Sequence, residues 1–241
     1  MASRQEEKER RRAQRIAEEE KARAATRRAR RLQMIGGGVL VAAIVVVAAV
    51  LISSNGSRSS GDTSPTAATG TRVPIPKPGP LASADKLPQA ASAAGCVVKT
   101  FPDEGNTHVT TTVNYKTNPP TSGNHNPTPA QDGIYAPGNT PTKEHFVHTL
   151  EHGRIEIQYR PGTPKHTRDQ LETLFNEPMH GLPGYKMLLF QNNTNMPYAV
   201  AATAWTHLLG YPRMNAKVFD AIRAFRAAYT DKAPESQIPP N

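Results

Sequence analysis

"VHTLEHGRIEIQYRP", residues 147–161, changes periodicity at its single glycine, and that change decides the fold class. Upstream, Thr140-Pro141 resembles an N-cap followed by proline at the first helical position, and Gly153 suits the left-handed position after a last turn. The stretch "TKEHFVHTLEH" between them is therefore expected to be helical. Downstream, Ile155, Ile157 and Tyr159 alternate with Glu156 and Gln158, which predicts a strand with one buried face. A helix that turns into a strand through one glycine points to an α+β domain.

Further elements extend this reading in both directions. "CVVKTF" from Cys96 and "THVTTTVNY" from Thr107 read as strands. "KTNPPTSGNHNPTPAQDGIYAPGNTPT", interrupted by Pro and Gly, reads as a long ordered loop. "TRDQLETLFNE" reads as a helix, and "KMLLFQ" and "PYAVAATAW" read as strands. In the terminal helix "NAKVFDAIRAFRAAYTD", Val218, Ile222, Phe225 and Tyr229 recur every three or four residues. The expectation is one α+β domain with a mixed sheet over residues 96–235, followed by a flexible tail at 236–241. Cys96 is the only cysteine, so no disulfide forms within the chain, and a structural thiol is expected.

The amino-terminal third has a different character. Residues 1–33 form a basic tail, with 12 Lys or Arg against 6 Asp or Glu in the first 31, whereas the remainder carries 17 against 14. That near-balance leaves the body without a nucleic-acid stripe, so no nucleic-acid partner is expected. Residues 34–52, "MIGGGVLVAAIVVVAAVLI", contain no charge and would span about 28 Å as a helix, close to the hydrocarbon thickness of a bilayer. A single transmembrane helix follows as the expectation. Arg27, Arg28, Arg30 and Arg31 crowd one flank and only Arg58 lies close on the other, which predicts a cytoplasmic N-terminus and an extracytoplasmic domain on the cell membrane. The expected partner is the lipid bilayer, with anionic lipid against the basic tail. Residues 53–95, rich in Ser, Thr, Ala, Gly and Pro, read as a flexible linker with a reach of about 36 Å.

The chemistry concentrates in the histidines. All eight lie beyond residue 107, and His148-x-x-Glu151-His152 has the spacing of inverted zinc peptidases. On a helix, His145, His148 and His152 share a stripe, with Glu151 beside it. Neutral imidazoles so placed suit a divalent metal, Zn²⁺ or Cu²⁺ above all. His125, in the turn-forming "NPPTSGNHNP", is the ligand that a long loop can deliver. The expected metal set is His125, His148 and His152, with His145, His180 and Glu151 as secondary candidates. Three readings follow: a metal-binding extracytoplasmic domain without catalysis, a small zinc hydrolase in which Glu151 takes the proton of the attacking water, and an envelope protein whose histidines serve only the fold. The domain's small size disfavours an extended substrate cleft.

"YKTNPPTSGNHNP", the following "GIY" and "VHTLEHGRIEIQYRP" resemble the bacterial, mainly actinobacterial, uncharacterised membrane-protein domain family numbered 3105. The resemblance spans about residues 95–230. It rests on Tyr115, Pro119, Pro120, Ser122, Gly123 and His125, and on Val147, His148, Leu150, Glu151, His152, Gly153, Tyr159 and Pro161. It implies an architecture and no activity. His145 lies outside these blocks, which ranks it below His125, His148 and His152.

Overall fold

The computed structural model describes residues 64–66 and 72–240. The expected membrane helix at 34–52 and the basic tail lie outside them. Among the described residues, no helix is long and apolar enough to cross a membrane.

Alternating apolar side chains build a mixed six-stranded sheet. Its strands are β1 (Val97–Thr100), β2 (Gly133–Ile134), β3 (Ile155–Tyr159), β4 (Met187–Gln191), β5 (Val200–Ala204) and β6 (His207–Tyr211), in spatial order β1-β6-β5-β3-β4-β2. β3 runs parallel to β4 and β4 parallel to β2, whereas β3–β5, β5–β6 and β6–β1 are antiparallel. Among the described residues four α-helices accompany it: α1 (Leu87–Ala94), α2 (Lys143–Glu151), α3 (Lys165–Phe175) and α4 (Val218–Tyr229). The α+β class and the mixed sheet hold.

One face of the sheet is apolar. Ile155, Ile157, Leu189, Val200, Ala202 and Leu209 pack there against Leu171 and Leu174 of α3 and Val218, Ile222 and Phe225 of α4. Each such large apolar side chain, fully buried, contributes about 1.5–3 kcal/mol. The opposite face carries Leu188 and Phe190, covered by Phe146, Val147 and Leu150 of α2. With both faces covered, all five residues of β3 are buried. The expectation of one solvent-facing side was therefore wrong. Alternation in β3 separates two buried environments, one greasy and one polar, and not core from water.

Several boundaries also move. Residues 87–94, assigned to the linker, form α1, whose Leu87, Ala90, Ala91 and Ala94 are buried and join the core with α4. Their i, i+3, i+4, i+7 spacing is helical, but alanine-rich composition hid it: alanine contributes little area yet lets two helices approach closely. The upstream segment is also tied down, through Arg223 Nη2 donating to the Pro76 carbonyl and the Gly79 amide donating to Asp220. The tail at 236–241 is not free over the described residues. Buried Lys186 donates to the Ser236 carbonyl at 2.6 Å, and buried Arg154 donates to the carbonyls of Ile238 and Pro239. "THVTTTVNY" forms no strand; only a bridge between His108 and His125 forms there. α2 begins after Thr142, two residues later than the Thr140-Pro141 signal, because Thr140 Oγ1 donates to the Gln191 carbonyl instead of capping. β6 was not anticipated from "WTHLLG".

Candidate metal centre

The loop from Thr117 to Ala130 owes its shape to its own polar groups. The Thr121 amide donates to Thr117 Oγ1, the Tyr115 hydroxyl donates to the Asn124 carbonyl, and the Glu104 amide donates to Ser122 Oγ. Gly123 has φ +126°, and a Cβ there would lie 2.9 Å from the Tyr115 ring, so only glycine fits this turn. The loop then lies along α2, with the Asn126 amide donating to the Glu144 carbonyl and the Ala130 amide to the His145 carbonyl. Two distant segments, one loop and one helix, are thereby held side by side.

This docking fixes the imidazoles. His125 Nδ1 lies 2.8 Å from the Gly123 carbonyl, and His148 Nδ1 lies 2.6 Å from the Asn126 carbonyl. A carbonyl only accepts, so both Nδ1 atoms carry hydrogen and donate. Both Nε2 atoms are left with lone pairs when the rings are neutral. Metal-binding histidines are oriented in this way, the far nitrogen bonded to a carbonyl and the near one free. Burial pushes the His148 and His152 imidazoles down to about 4, which keeps them neutral at pH 7.

The free nitrogens meet a carboxylate. His125 Nε2 is 3.0 Å from Glu151 Oε2, with side-chain exposures of 0% and 2%, yet the pair is not in hydrogen-bonding geometry and Nε2 is left unsatisfied. A carboxylate facing an imidazole nitrogen in a buried site calls for a cation between them, a proton or a metal ion. His108 completes the group: donor atoms of His108, His125, His148 and Glu151 all lie within 4.8 Å of one another. Its ring centroid is 4.8 Å from that of His148 and 5.1 Å from that of His125. A parallel bridge positions it, with the Val109 amide donating to the His125 carbonyl and the His125 amide to the Thr107 carbonyl. A second set, His148, His152 and Glu235, satisfies the same distance condition.

The expected ligands are thus partly regrouped. His125 and His148 come together. His152 lies just past the end of α2 and belongs with Glu235, to which its Nε2 is 3.5 Å away. Glu151, ranked second, lies in the first set because residues three apart on a helix are neighbours, and the loop brings His125 to that side of α2. His145 and His180 join neither set: His145 is half-buried beside the loop, and His180 is exposed with its ring 5.0 Å from Tyr185. His108 was missed, since only its pairing with His125 brings it near. Cys96 is a half-buried free thiol, pushed up to about 12 by burial, and stays protonated.

A family profile matches residues 108–241, more than half of the chain and every residue of both ligand sets. The chain belongs to the family described as "protein of unknown function (DUF3105)". No curated protein and no solved structure matches it. The family thus supports the resemblance drawn from the two sequence blocks and brings no activity with it.

Beneath α2 lies a second polar group that sequence patterning assigned to solvent. Glu156 is fully buried, with Oε2 accepting from Thr203 Oγ1 and Gln158 Nε2, each at 2.9 Å, and Oε1 3.0 Å from Thr149 Oγ1. The single hydroxyl hydrogen of Thr149 is directed to the Phe146 carbonyl at 2.6 Å. The hydrogen between Thr149 and Glu156 must then come from the carboxyl group. Burial pushes Glu156 up to about 8, against the hydrogen bonds with its polar neighbours, which favour the charged form.

Proposed function

We propose that this domain binds one divalent transition-metal ion, Zn²⁺ or Cu²⁺, through His108, His125, His148 and Glu151. The observation that carries the reading is the 3.0 Å approach of His125 Nε2 to Glu151 Oε2 in a site where Nδ1 is already committed to a carbonyl. Three imidazoles and one carboxylate provide four ligands of the kinds Zn²⁺ takes, and imidazole also suits Cu²⁺. Glu151 in this role is a ligand, so the zinc-hydrolase alternative, which needs it as a proton acceptor, loses its base. The function supported best is therefore metal binding without catalysis.

The chain's one tryptophan makes a direct test available, because the Trp205 ring lies 6.2 Å from that of His125. Cu²⁺ titrated into the purified full chain should quench Trp205 fluorescence to a break at one equivalent, and Zn²⁺ should compete. His125→Ala should weaken binding by on the order of 100-fold or more, since even outer-shell partners of a metal ligand are worth 10–100-fold. Absence of stoichiometric Zn²⁺ or Cu²⁺ binding at micromolar concentration would overturn the reading. Hydrolysis of a peptide library by the Zn²⁺-loaded chain, lost in Glu151→Gln with metal retained, would restore the hydrolase alternative.

The anchoring of the domain is part of the same proposal. Residues 34–52 hold the chain in the bilayer with its basic tail at the cytoplasmic face and the metal domain outside, a reading supported by the uncharged run and the one-sided arginines. A reporter active only outside the cytoplasm should work when fused after Tyr229 and fail when fused before Met34. The reverse result refutes this orientation.

A further inference from the structure

The second ligand set shares a residue with the first. His148 belongs to both, while His152 and Glu235 belong only to the second. The Nδ1 of His148 donates to the Asn126 carbonyl at 2.6 Å, so the ring has one lone pair to give. One lone pair serves one ion at a time, and two ions cannot both claim it. We infer that the two sets are alternative positions for a single ion, with His148 as the pivot and the His152–Glu235 pair as the station through which the ion enters and leaves. This rests on the metal-binding reading above and adds a path to it.

Exposure and charge together give the path its direction. His125 and Glu151 have side-chain exposures of 0% and 2%, and the exposed member of the first set, His108, offers only an imidazole, whereas Glu235, 43% exposed, offers an incoming cation a carboxylate at the surface. The second station is held against the first by the backbone: the Glu235 amide donates to the Glu151 carbonyl at 2.9 Å. The segment that carries Glu235 is pinned on both sides, by Lys186 bonding Asp231 and the Ser236 carbonyl, and by Arg154 bonding the carbonyls of Ile238 and Pro239. Glu235 is thus a fixed partner of His152 across 3.5 Å, and His152 keeps a buried Nδ1 with no hydrogen-bond partner. In the outward step the ion's bonds to His108, His125 and Glu151 break, and bonds to His152 and Glu235 form. One carboxylate replaces another, so the charge around the ion is unchanged and neither electron nor proton is transferred.

The test is a release measurement on the full chain, purified in detergent and loaded with one equivalent of Cu²⁺. Trp205 fluorescence recovers as excess chelator removes the ion. Wild type should bind one Cu²⁺, and Glu235→Gln and His152→Ala should each release it about tenfold more slowly, with little change in equilibrium affinity, an effect of the size that neighbouring groups exert on metal sites. Glu235→Gln replaces a partly exposed carboxylate by its isostere, so its folding is not at issue. Release at the wild-type rate from both variants overturns the relay and leaves the metal site standing. Two Cu²⁺ per wild-type chain overturns the sharing of His148. A wild-type chain that binds no Cu²⁺ instead sinks the metal reading on which the relay rests.

Discussion

The two faces of β3 are both buried, and by opposite means. Against α3 and α4, β3 presents Ile155, Ile157 and Tyr159 to an apolar layer that includes Ile222 and Phe225. Against α2 it presents Glu156 and Gln158, every one of whose partners is itself polar: Thr149, Thr203 and Asn192. The apolar face gains stability from area and has no chemistry. The polar face gains little net free energy from its hydrogen bonds, each worth about 0.5–1.5 kcal/mol, but would lose heavily if any were left unmade. Such a layer orients what lies above it. Thr149, bonded to Glu156, sits beside His148 on α2, so the network that fixes α2 over the sheet also fixes the metal ligands.

Breaking the apolar face should have the largest effect on stability and none of its own on metal binding. Phe225→Ala removes a fully buried ring and should cost about 3–5 kcal/mol in a urea titration. Metal affinity, measured where the variant is still folded, should stay at the wild-type value. A selective loss of metal binding would show that the two faces are coupled more tightly than the separation of their side chains indicates.

The polar face should respond to lost partners and tolerate mimicry. Thr203→Val deprives buried Glu156 and Gln158 of a hydrogen-bonding group and should destabilise by about 1–3 kcal/mol. Glu156→Gln, in contrast, places an amide N–H where the carboxyl hydrogen points at Thr149 and keeps an oxygen for Thr203 and Gln158, so stability at pH 7 should be held or raised. A Glu156→Gln variant much less stable than Thr203→Val would mean that Glu156 is ionised in the folded chain.

The pH dependence sharpens the same contrast through Glu156 on the polar face of β3 and through His148 and His152, carried by α2 and its end. Glu156 is held up at about 8 against an ordinary value of 4.5, so between those values the folded chain keeps a proton that the unfolded chain releases. Its contribution is complete below pH 4.5 and is lost as pH rises to about 8. His148 and His152, held down at about 4 against 6.5, act in the other sense, and their contribution is lost as pH falls from 6.5 to about 4. Metal-free protein should therefore be most stable near pH 6.5. In Glu156→Gln the decline from pH 6.5 to 8 should flatten, as thermal melts across that range would show; an unchanged slope would assign the decline to another group.

The smallest effect is expected outside both layers. His166 is exposed at the start of α3, and His166→Ala should change stability by less than about 0.5 kcal/mol and leave metal stoichiometry at one. A lost equivalent of Cu²⁺ in this variant would mean that binding is to scattered surface imidazoles and not to the set around His125 and His148.

Local signals carried much of this protein. The period-two pattern of "RIEIQYR" determines a strand, the glycine after "LEH" marks a left-handed turn, found at φ +76°, and the three-to-four spacing of Val218, Ile222 and Phe225 determines α4. The same kind of signal drew attention to His148, Glu151 and His152, and the rigid "PPTSGNH" turn to His125. Each depends on interactions within a few residues, which composition and spacing report directly. Only the tertiary structure decided which of these groups meet. Alternation in β3 specifies two faces but cannot say that both are covered, so Glu156 read as a surface residue until α2 lay over it. Helical spacing placed His152 beside His148 but could not show that the loop approaches from the side of Glu151, nor that His108 rides on the backbone of His125. Nor could it show that a tail held by Arg154 and Lys186 brings Glu235 to His152. A ligand set is a statement about distances between segments far apart in the chain, and those distances are fixed by packing and buried hydrogen bonds, which no local pattern encodes.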